Sequence, residues 1–173
     1  RSFESYAQYF GDDWPYVAEW QCDKETVFSF VRQALIRALT DYRLARDERD
    51  VPLFDNVAYS IAIYSYIRRL LESLPEREKY QIGHGVYSIL PIHKRFMQQR
   101  LQFLRENHQL APDPILDRLL TDLIKSCEMI KGLFMKYIAT QELPVLKRIA
   151  DQLTQAEELD IRFTERLITA LQE

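Results

Sequence analysis

The sequence predicts an all-α protein, folded as one single-domain helical bundle of about five main helices over residues 1–173. Apolar residues recur at intervals of three and four along most of the chain, which is the spacing of amphipathic helices. Glycine occurs four times and proline seven times in 173 residues. Because a β-sandwich or barrel needs a turn about every 8–12 residues, this scarcity of turn residues argues against both folds.

Residues 1–20 are predicted to form an aromatic arm that begins with a short amphipathic helix. Phe3, Tyr6 and Phe10 fall at helical spacing, and the Gly-Asp-Asp sequence at residues 11–13 then ends the helix. We expect the aromatic side chains of this arm to dock onto the bundle. The alternative is a patch that faces a partner, because Trp and Tyr are favoured interface residues.

The first two long helices are predicted at residues 23–45 and 55–74. Asp23 and Asp55 are suitable N-cap residues for them. The apolar stripe of the first helix comprises Val27, Phe28, Val31, Ala34, Leu35, Ala38, Leu39 and Tyr42. The second helix is apolar on most sides, which is typical of a central helix.

The next helix is predicted from Pro75 to about residue 107, and it contains the irregular part of the chain. We expect a disturbance at residues 83–85, where His84 lies between two glycines, and another at Pro91. The apolar stripe predicted after that proline consists of Phe96, Met97, Leu101, Phe103 and Leu104, with His93 and Arg100 on the same side. Lys94 is assigned to the outside or the edge of this stripe.

The last two helices are predicted to form an antiparallel heptad hairpin over residues 113–173. Asp113 followed by Pro114 is a strong helix-start signal. In each helix the apolar residues then alternate in steps of four and three, which is the spacing of a coiled-coil seam. The two seams are Leu116, Leu120, Leu123, Cys127, Ile130, Phe134 and Tyr137, and Leu146, Ile149, Leu153, Ala156, Asp160, Phe163, Leu167 and Ala170. Matched seams joined by a short break should pack together.

One carboxylate, that of Asp160, interrupts the second apolar seam. A buried charge without a partner costs several kcal/mol. We therefore predict a buried polar pair between Asp160 and Arg100, with Arg68 or His93 as alternative neighbours. Such a pair could set the register of the helices or form the polar floor of a pocket. In the remaining alternative, one or both groups point to solvent.

A second hypothesis is a pocket for a small apolar ligand between the middle helices. Its predicted lining is Tyr59, Tyr64, Tyr66, His84, Tyr87, His93 and Arg100. No metal site and no cofactor are predicted, because none of the three histidines has a Glu three residues before it, as in di-iron bundles. Catalytic motifs and phosphate-binding glycine loops are absent from the sequence as well.

The leading functional prediction is a non-enzymatic regulatory or protein-interaction domain that binds a protein partner or associates with itself as a homodimer. It is based on the missing catalytic motifs and on surplus apolar positions such as Phe30 and Leu44. A start at Arg1 rather than Met also leads us to expect part of a larger protein or assembly. The alternative is a small-molecule sensor or carrier that uses the predicted pocket.

Charge and cysteine content narrow the class of partner and the compartment. A net charge of −3 gives no reason to expect nucleic-acid binding. No apolar run is long enough to span a membrane. Cys22 and Cys127 lie far apart without a CxxC motif, so we expect a reducing, cytoplasmic location.

Overall fold

The computed structural model describes residues 31–44, 60–73 and 84–173. Helices make up 89% of these residues, and no strand occurs among them. The helices are α1 (Arg32–Leu44), α2 (Ala62–Ser73), α3 (His84–Glu106), α4 (Pro114–Thr140) and α5 (Leu143–Gln172). The predicted all-α fold class is therefore confirmed. The predicted features outside the described ranges include the aromatic arm at residues 1–20, Cys22, Asp23, Val27, Phe28, Phe30, Asp55, Tyr59 and Pro75.

Helices α4 and α5 follow each other with a link of two residues. Asp113 caps α4 as predicted, because its Oδ1 accepts hydrogen bonds from the backbone N–H groups of Ile115 (2.9 Å) and Leu116 (3.1 Å). At the other end, Gln141 adopts the left-handed conformation (φ 57°), and its N–H donates to the carbonyl of Tyr137 at 2.7 Å. This residue ends α4 and turns the chain into α5.

The facing sides of α4 and α5 supply most of the core. All seven predicted seam residues of α4 are buried, and so are those of α5 apart from the half-buried Ala170. Arg166 Nε near the end of α5 lies 2.6 Å from Asp113 Oδ2 at the start of α4. Gln152 near the middle of α5 donates to Ser126 Oγ at 2.7 Å. The two helices therefore run antiparallel.

The remaining helices pack on this pair. Helices α1 and α2 contact α5, whereas α3 packs on α4. Two ion pairs join α3 to α4, Arg95 with Glu128 (2.6 Å) and Arg105 with Asp117 (2.7 Å). Because the middle of α3 pairs with the middle of α4 and the end of α3 pairs with the start of α4, these helices are antiparallel as well. None of the described helices has the length and apolar character needed to cross a bilayer.

Helix α2 begins later than the prediction of a continuous helix over residues 55–74. Ser60 has a φ of 58°, in the left-handed region, so the helix does not pass through it. The N–H of Ile61 instead donates to the carbonyl of Tyr42 at 3.3 Å, which ties the start of α2 to the end of α1. Of the described residues of the stripe predicted on α1, Val31, Ala34 and Ala38 are exposed, Leu35 and Tyr42 are half-buried, and Leu39 is buried.

Helix α3 differs from the prediction at Pro91 and in its rotation. The helix continues through Pro91, although proline removes one backbone hydrogen bond. Leu90 and Lys94, on either side of that proline, are 3% and 1% exposed, so tertiary packing holds this segment helical. Phe96 and Phe103 were expected in the core, yet they are 53% and 59% exposed. The buried side of α3 is formed by Tyr87, Leu90, Lys94, Leu101 and Leu104.

Candidate functional site

Four helices meet at a buried ion pair between Lys94 of α3 and Asp160 of α5. Lys94 Nζ lies 2.6 Å from Asp160 Oδ2, and each side chain is 2% exposed. Tyr42 of α1 and Tyr64 of α2 both donate their hydroxyl hydrogens to the same Oδ2, at 2.7 Å and 3.0 Å. Lys94 Nζ also donates to the Tyr42 hydroxyl oxygen at 2.8 Å. We refer to these four residues as the polar cluster.

The polar cluster compensates the cost of burying its two charges. Oδ2 of Asp160 receives one charged and two neutral donors, and charge-assisted hydrogen bonds are the stronger kind. Lys94 Nζ also lies 5.1 Å from the centroid of the Tyr42 ring, within cation–π distance. A buried ion pair adds little net stability compared with apolar residues. We therefore expect the cluster to act mainly by selecting one arrangement of the four helices.

Both tyrosines of the polar cluster remain hydrogen-bond donors over the accessible pH range. Burial, together with the nearby Asp160 carboxylate, raises the pKa of Tyr42 and of Tyr64 well above the ordinary value of a phenol. A phenolate at either position would face the carboxylate directly. The two phenol groups therefore keep their hydrogen-bond donors as the pH rises.

Cys127 of α4 lies beside the polar cluster and is 0% exposed. Burial raises the pKa of its thiol to about 12, although the nearby Lys94 charge acts in the opposite direction. Since the thiolate is the nucleophile and the metal ligand, the thiol at this position is inert. No group of three or more potential metal ligands occurs within the described ranges.

We expect Cys127 to resist thiol reagents in the folded protein. In a Cys22→Ser variant, Ellman's reagent should release no thionitrobenzoate under native conditions and one equivalent per chain in denaturant. Rapid reaction under native conditions would show that the thiol is accessible or ionised. That result would contradict its burial beside the polar cluster.

His93 lies at the edge of the polar cluster, where its ring stacks on Tyr42 with centroids 6.1 Å apart and planes at 25°. Partial burial and the positive charge of Lys94 lower the pKa of His93 to about 4. The imidazole is therefore neutral at neutral pH. Protonating it would place a second positive charge beside Lys94.

The depressed pKa of His93 predicts a pH dependence of stability. Between pH about 6.5 and about 4, the unfolded chain binds a proton at this imidazole that the folded chain does not bind. Its contribution to stability is therefore greatest above pH 6.5, falls as the pH drops through this window and levels off below about pH 4. Urea unfolding between pH 4 and pH 7 should show a shallower slope for His93→Gln than for the wild type. His108→Gln, at an exposed histidine, is the control and should retain the wild-type slope.

The structure replaces the predicted Arg100–Asp160 pair with the Lys94–Asp160 pair. Positions 94 and 100 are about 120° apart around a helix axis, so a helix that turns one inward turns the other away. Arg100 is exposed, and its Nη1 lies 3.8 Å from the sulfur of Met97. The alternative partner Arg68 instead pairs with Glu157 at 2.6 Å.

The residues predicted to line a ligand pocket do not share one environment. Tyr64 belongs to the polar cluster and His93 lies at its edge, whereas Tyr87 is buried and stacks on Phe134 with centroids 5.7 Å apart. Tyr66 is half-buried and Arg100 is exposed. His84 is described only as the first residue of α3, and Tyr59 lies outside the described ranges.

Sequence reasoning did not assign Lys94 to the site, although a signal for it exists. Tyr87, Leu90 and Lys94 follow one another in steps of three and four, and Leu101 and Leu104 continue the same heptad pattern. Lys94 is the charged member of an otherwise buried heptad side, as Asp160 is on α5. Two opposite charges that interrupt two apolar seams indicate a buried pair.

The side of α3 opposite to Lys94 carries a row of exposed apolar side chains. Ile89 and Ile92 are each 50% exposed, and Phe96 and Phe103 are more exposed still. Steps of three, four and seven place them on one side of the helix, over about 21 Å of its length. Arg100 lies on the same side, between the two phenylalanines. We refer to these five residues as the outer face.

Two acidic groups of this region, Glu128 and Glu106, already have partners other than Arg100. Arg95 binds Glu128, and Gln102 donates to Glu106 Oε1 at 2.7 Å. For Arg100, no carboxylate of the described ranges lies within the 4.0 Å limit of an ion pair. The outer face therefore combines exposed apolar surface with one guanidinium that lacks an acidic partner in that part of the chain.

Comparison with protein-family models, curated proteins and solved structures finds no significant match to this chain. The class of this protein therefore follows from its fold and its polar cluster alone. It is an all-α protein in which one helix, α3, inserts a lysine into a buried polar cluster and turns an apolar face outward.

Proposed function

We propose that this chain is a non-enzymatic protein-interaction domain whose docking surface is the outer face of α3. The observation that carries the proposal is the alignment of four large apolar side chains, each 50% exposed or more. Single exposed apolar residues are common on protein surfaces, but contiguous apolar patches usually mark interaction sites. Phenylalanine and arginine are also enriched at protein interfaces.

The polar cluster supports this proposal, because it lies on the opposite side of the helix that carries the docking surface. Phe96 and Phe103 lie about 160–180° around the helix axis from Lys94. A helix that buries Lys94 against Asp160 must therefore present both phenylalanines to solvent. A docking surface that is held rigid before binding loses less conformational entropy when the partner binds.

The polar cluster is less suited to catalysis or to transport of a small molecule. The charged side chains of Lys94 and Asp160 are each 2% exposed, so a substrate cannot reach them in this arrangement. A carrier would need space beside Tyr64 and Tyr87, which are 0% and 3% exposed in the packed core. We therefore propose a protein rather than a small molecule as the partner. From the cysteine content, we also propose a cytoplasmic location.

Affinity capture with matched variants tests the docking function. Three proteins are immobilised and exposed to a cell extract: the wild-type chain, a Phe96→Ser/Phe103→Ser variant and a control Ile115→Ser/Met129→Ser variant. The proteins that each of them retains from the extract are identified by mass spectrometry. The control removes two apolar side chains of similar exposure (61% and 53%) outside the outer face. We expect specific partners to bind the wild type and the control but not the outer-face variant.

The size of the effect can be measured once an identified partner has been purified. Loss of an interface hot-spot residue costs about 2 kcal/mol or more, so the outer-face variant should bind at least about 30-fold more weakly. Equal binding of the partner to all three proteins would show that docking uses another surface. A bound small molecule in native mass spectra, in place of a protein partner, would favour the carrier function instead.

A further inference from the structure

We infer that the partner docks an amphipathic helix along the outer face and that a carboxylate within the apolar stripe of this helix pairs with Arg100. The inference rests on the proposed docking function and specifies the chemistry of the partner. Two features of the outer face support it. The first is the geometry of its apolar side chains, and the second is the position of its charge.

The geometry fits another helix. The apolar side chains from Ile89 to Phe103 follow one side of a continuous helix for about 21 Å, which is about four helical turns. Side chains in such a row form a ridge that packs between the side chains of a second helix. A partner helix of similar length, with apolar residues in steps of three and four, would cover the whole outer face.

The charge of Arg100 favours an acidic group in that partner helix. Arg100 lies between Phe96 and Phe103, so a helix that covers both rings also covers the guanidinium. Burying this charge without a partner would cost several kcal/mol. The nearby acidic groups Glu106 and Glu128 already bind Gln102 and Arg95. A carboxylate from the partner therefore gives the best compensation.

A second copy of this chain fits the outer face less well. An antiparallel pair of α3 helices centred on Phe96 would place Ile89 near Phe103 of the copy, which matches apolar with apolar. The same arrangement would place Arg100 near Ile92 of the copy, where the sequence from 88 to 93 contains no acidic residue. Both guanidinium groups would then be covered without a carboxylate. Charge complementarity therefore favours a different, acidic partner.

Three synthetic helical peptides test the inference with the full chain. Each has about 18 residues, a stripe of leucines in steps of three and four, and a single central stripe position that is Glu, Gln or Lys. Binding of fluorescein-labelled peptides is measured by anisotropy. We expect the Glu peptide to bind about tenfold more tightly than the Gln peptide, because a charge-assisted hydrogen bond adds about 1.5 kcal/mol. The Lys peptide should bind most weakly.

Variants of Arg100 separate the charge from the apolar contact. Arg100→Gln should bind the Glu and Gln peptides equally, and Arg100→Glu should reverse the preference towards the Lys peptide. Arg118→Gln is the matched control, because this arginine on α4 is 86% exposed and lies outside the outer face. It removes one positive charge, as Arg100→Gln does, and should keep the preference for the Glu peptide.

The possible outcomes distinguish failure of the inference from failure of the docking function on which it rests. Equal binding of the three peptides to the wild type would overturn the acidic pairing and leave apolar docking intact. If no peptide binds while captured proteins still depend on Phe96 and Phe103, the helical partner is wrong but the docking function stands. If sedimentation shows a dimer that Phe96→Ser/Phe103→Ser dissociates, the occupant is a second copy and the inference fails.

Discussion

Replacing Asp160 with asparagine is expected to lower the free energy of unfolding by about 3–5 kcal/mol, because Lys94 then remains buried without its counter-charge. The side chain keeps its size, so the loss reports charge rather than a cavity. Asp160 Oδ2 is also the acceptor for Tyr42 and Tyr64, so the substitution weakens these two hydrogen bonds together with the contact to Lys94. Urea unfolding followed by circular dichroism measures the change.

Asp151→Asn is the matched control for this substitution. Asp151 is exposed on the same helix, and surface substitutions usually change stability by less than about 0.5 kcal/mol. An unchanged unfolding midpoint for Asp160→Asn would mean that the carboxylate is solvated. The ion pair with Lys94 would then not exist in the folded protein.

Phe134→Ala is expected to cost about 3–5 kcal/mol, because the truncation leaves a cavity in the core. Phe134 is 0% exposed on the α4 seam, and its ring stacks on Tyr87 of α3. The loss therefore includes contacts both within the α4–α5 pair and between this pair and α3. Thermal and urea unfolding give the free-energy difference.

The same Phe→Ala substitution on the outer face is the control for Phe134→Ala, because it removes an exposed ring instead of a buried one. Phe96→Ala and Phe103→Ala should change stability by less than about 0.5 kcal/mol, because both rings are more than half exposed and alanine favours helix. Costs as large as that of Phe134→Ala would show that α3 packs through these phenylalanines. The outer face would then be part of the core and could not dock a partner.

The α4–α5 pair could be predicted from sequence because its signals are local and agree with each other. Asp113 and Pro114 mark the start of α4, and the apolar residues after them keep one spacing through to Tyr137. The same spacing continues in α5, where Leu153 and Phe163 are 0% exposed. When cap, periodicity and loop length point to the same arrangement, little else competes with it.

The rotation of α3 could not be predicted from its own residues. Two sides of this helix have apolar rows, and each row includes one cation, Arg100 in the outer face and Lys94 in the other row. The local pattern therefore gives no reason for the burial of Lys94. Its burial depends on Asp160, which is 66 residues further along the chain. Tertiary contacts of this kind override local preference.

The site could be predicted only in part, because the identity of its cation depends on the rotation of α3. The position of Asp160 on a seam correctly indicated a buried carboxylate that needs a cation. The choice of Arg100 as that cation followed from the wrong rotation of α3, since positions 94 and 100 face different directions. The start of α2 at Ala62 also had no local signal, because Ser60 gives no hint of a left-handed conformation.

The polar cluster and the outer face are two consequences of one rotation. Without the pair between Lys94 and Asp160, burial of the row with Phe96 and Phe103 would compete with the observed rotation. We therefore expect the ion pair to help keep the proposed docking residues in solvent. This relation predicts that variants without the pair bind a partner of the outer face more weakly, even where they remain folded.

A double-mutant cycle on Lys94 and Asp160 tests the ion pair most directly. The free energies of unfolding are measured for the wild type, Lys94→Met, Asp160→Leu and the double variant. We expect each single substitution to be strongly destabilising and the double variant to recover most of the loss, with a coupling of about 3 kcal/mol. Additive effects, with a coupling near zero, would contradict the pair and with it the rotation of α3.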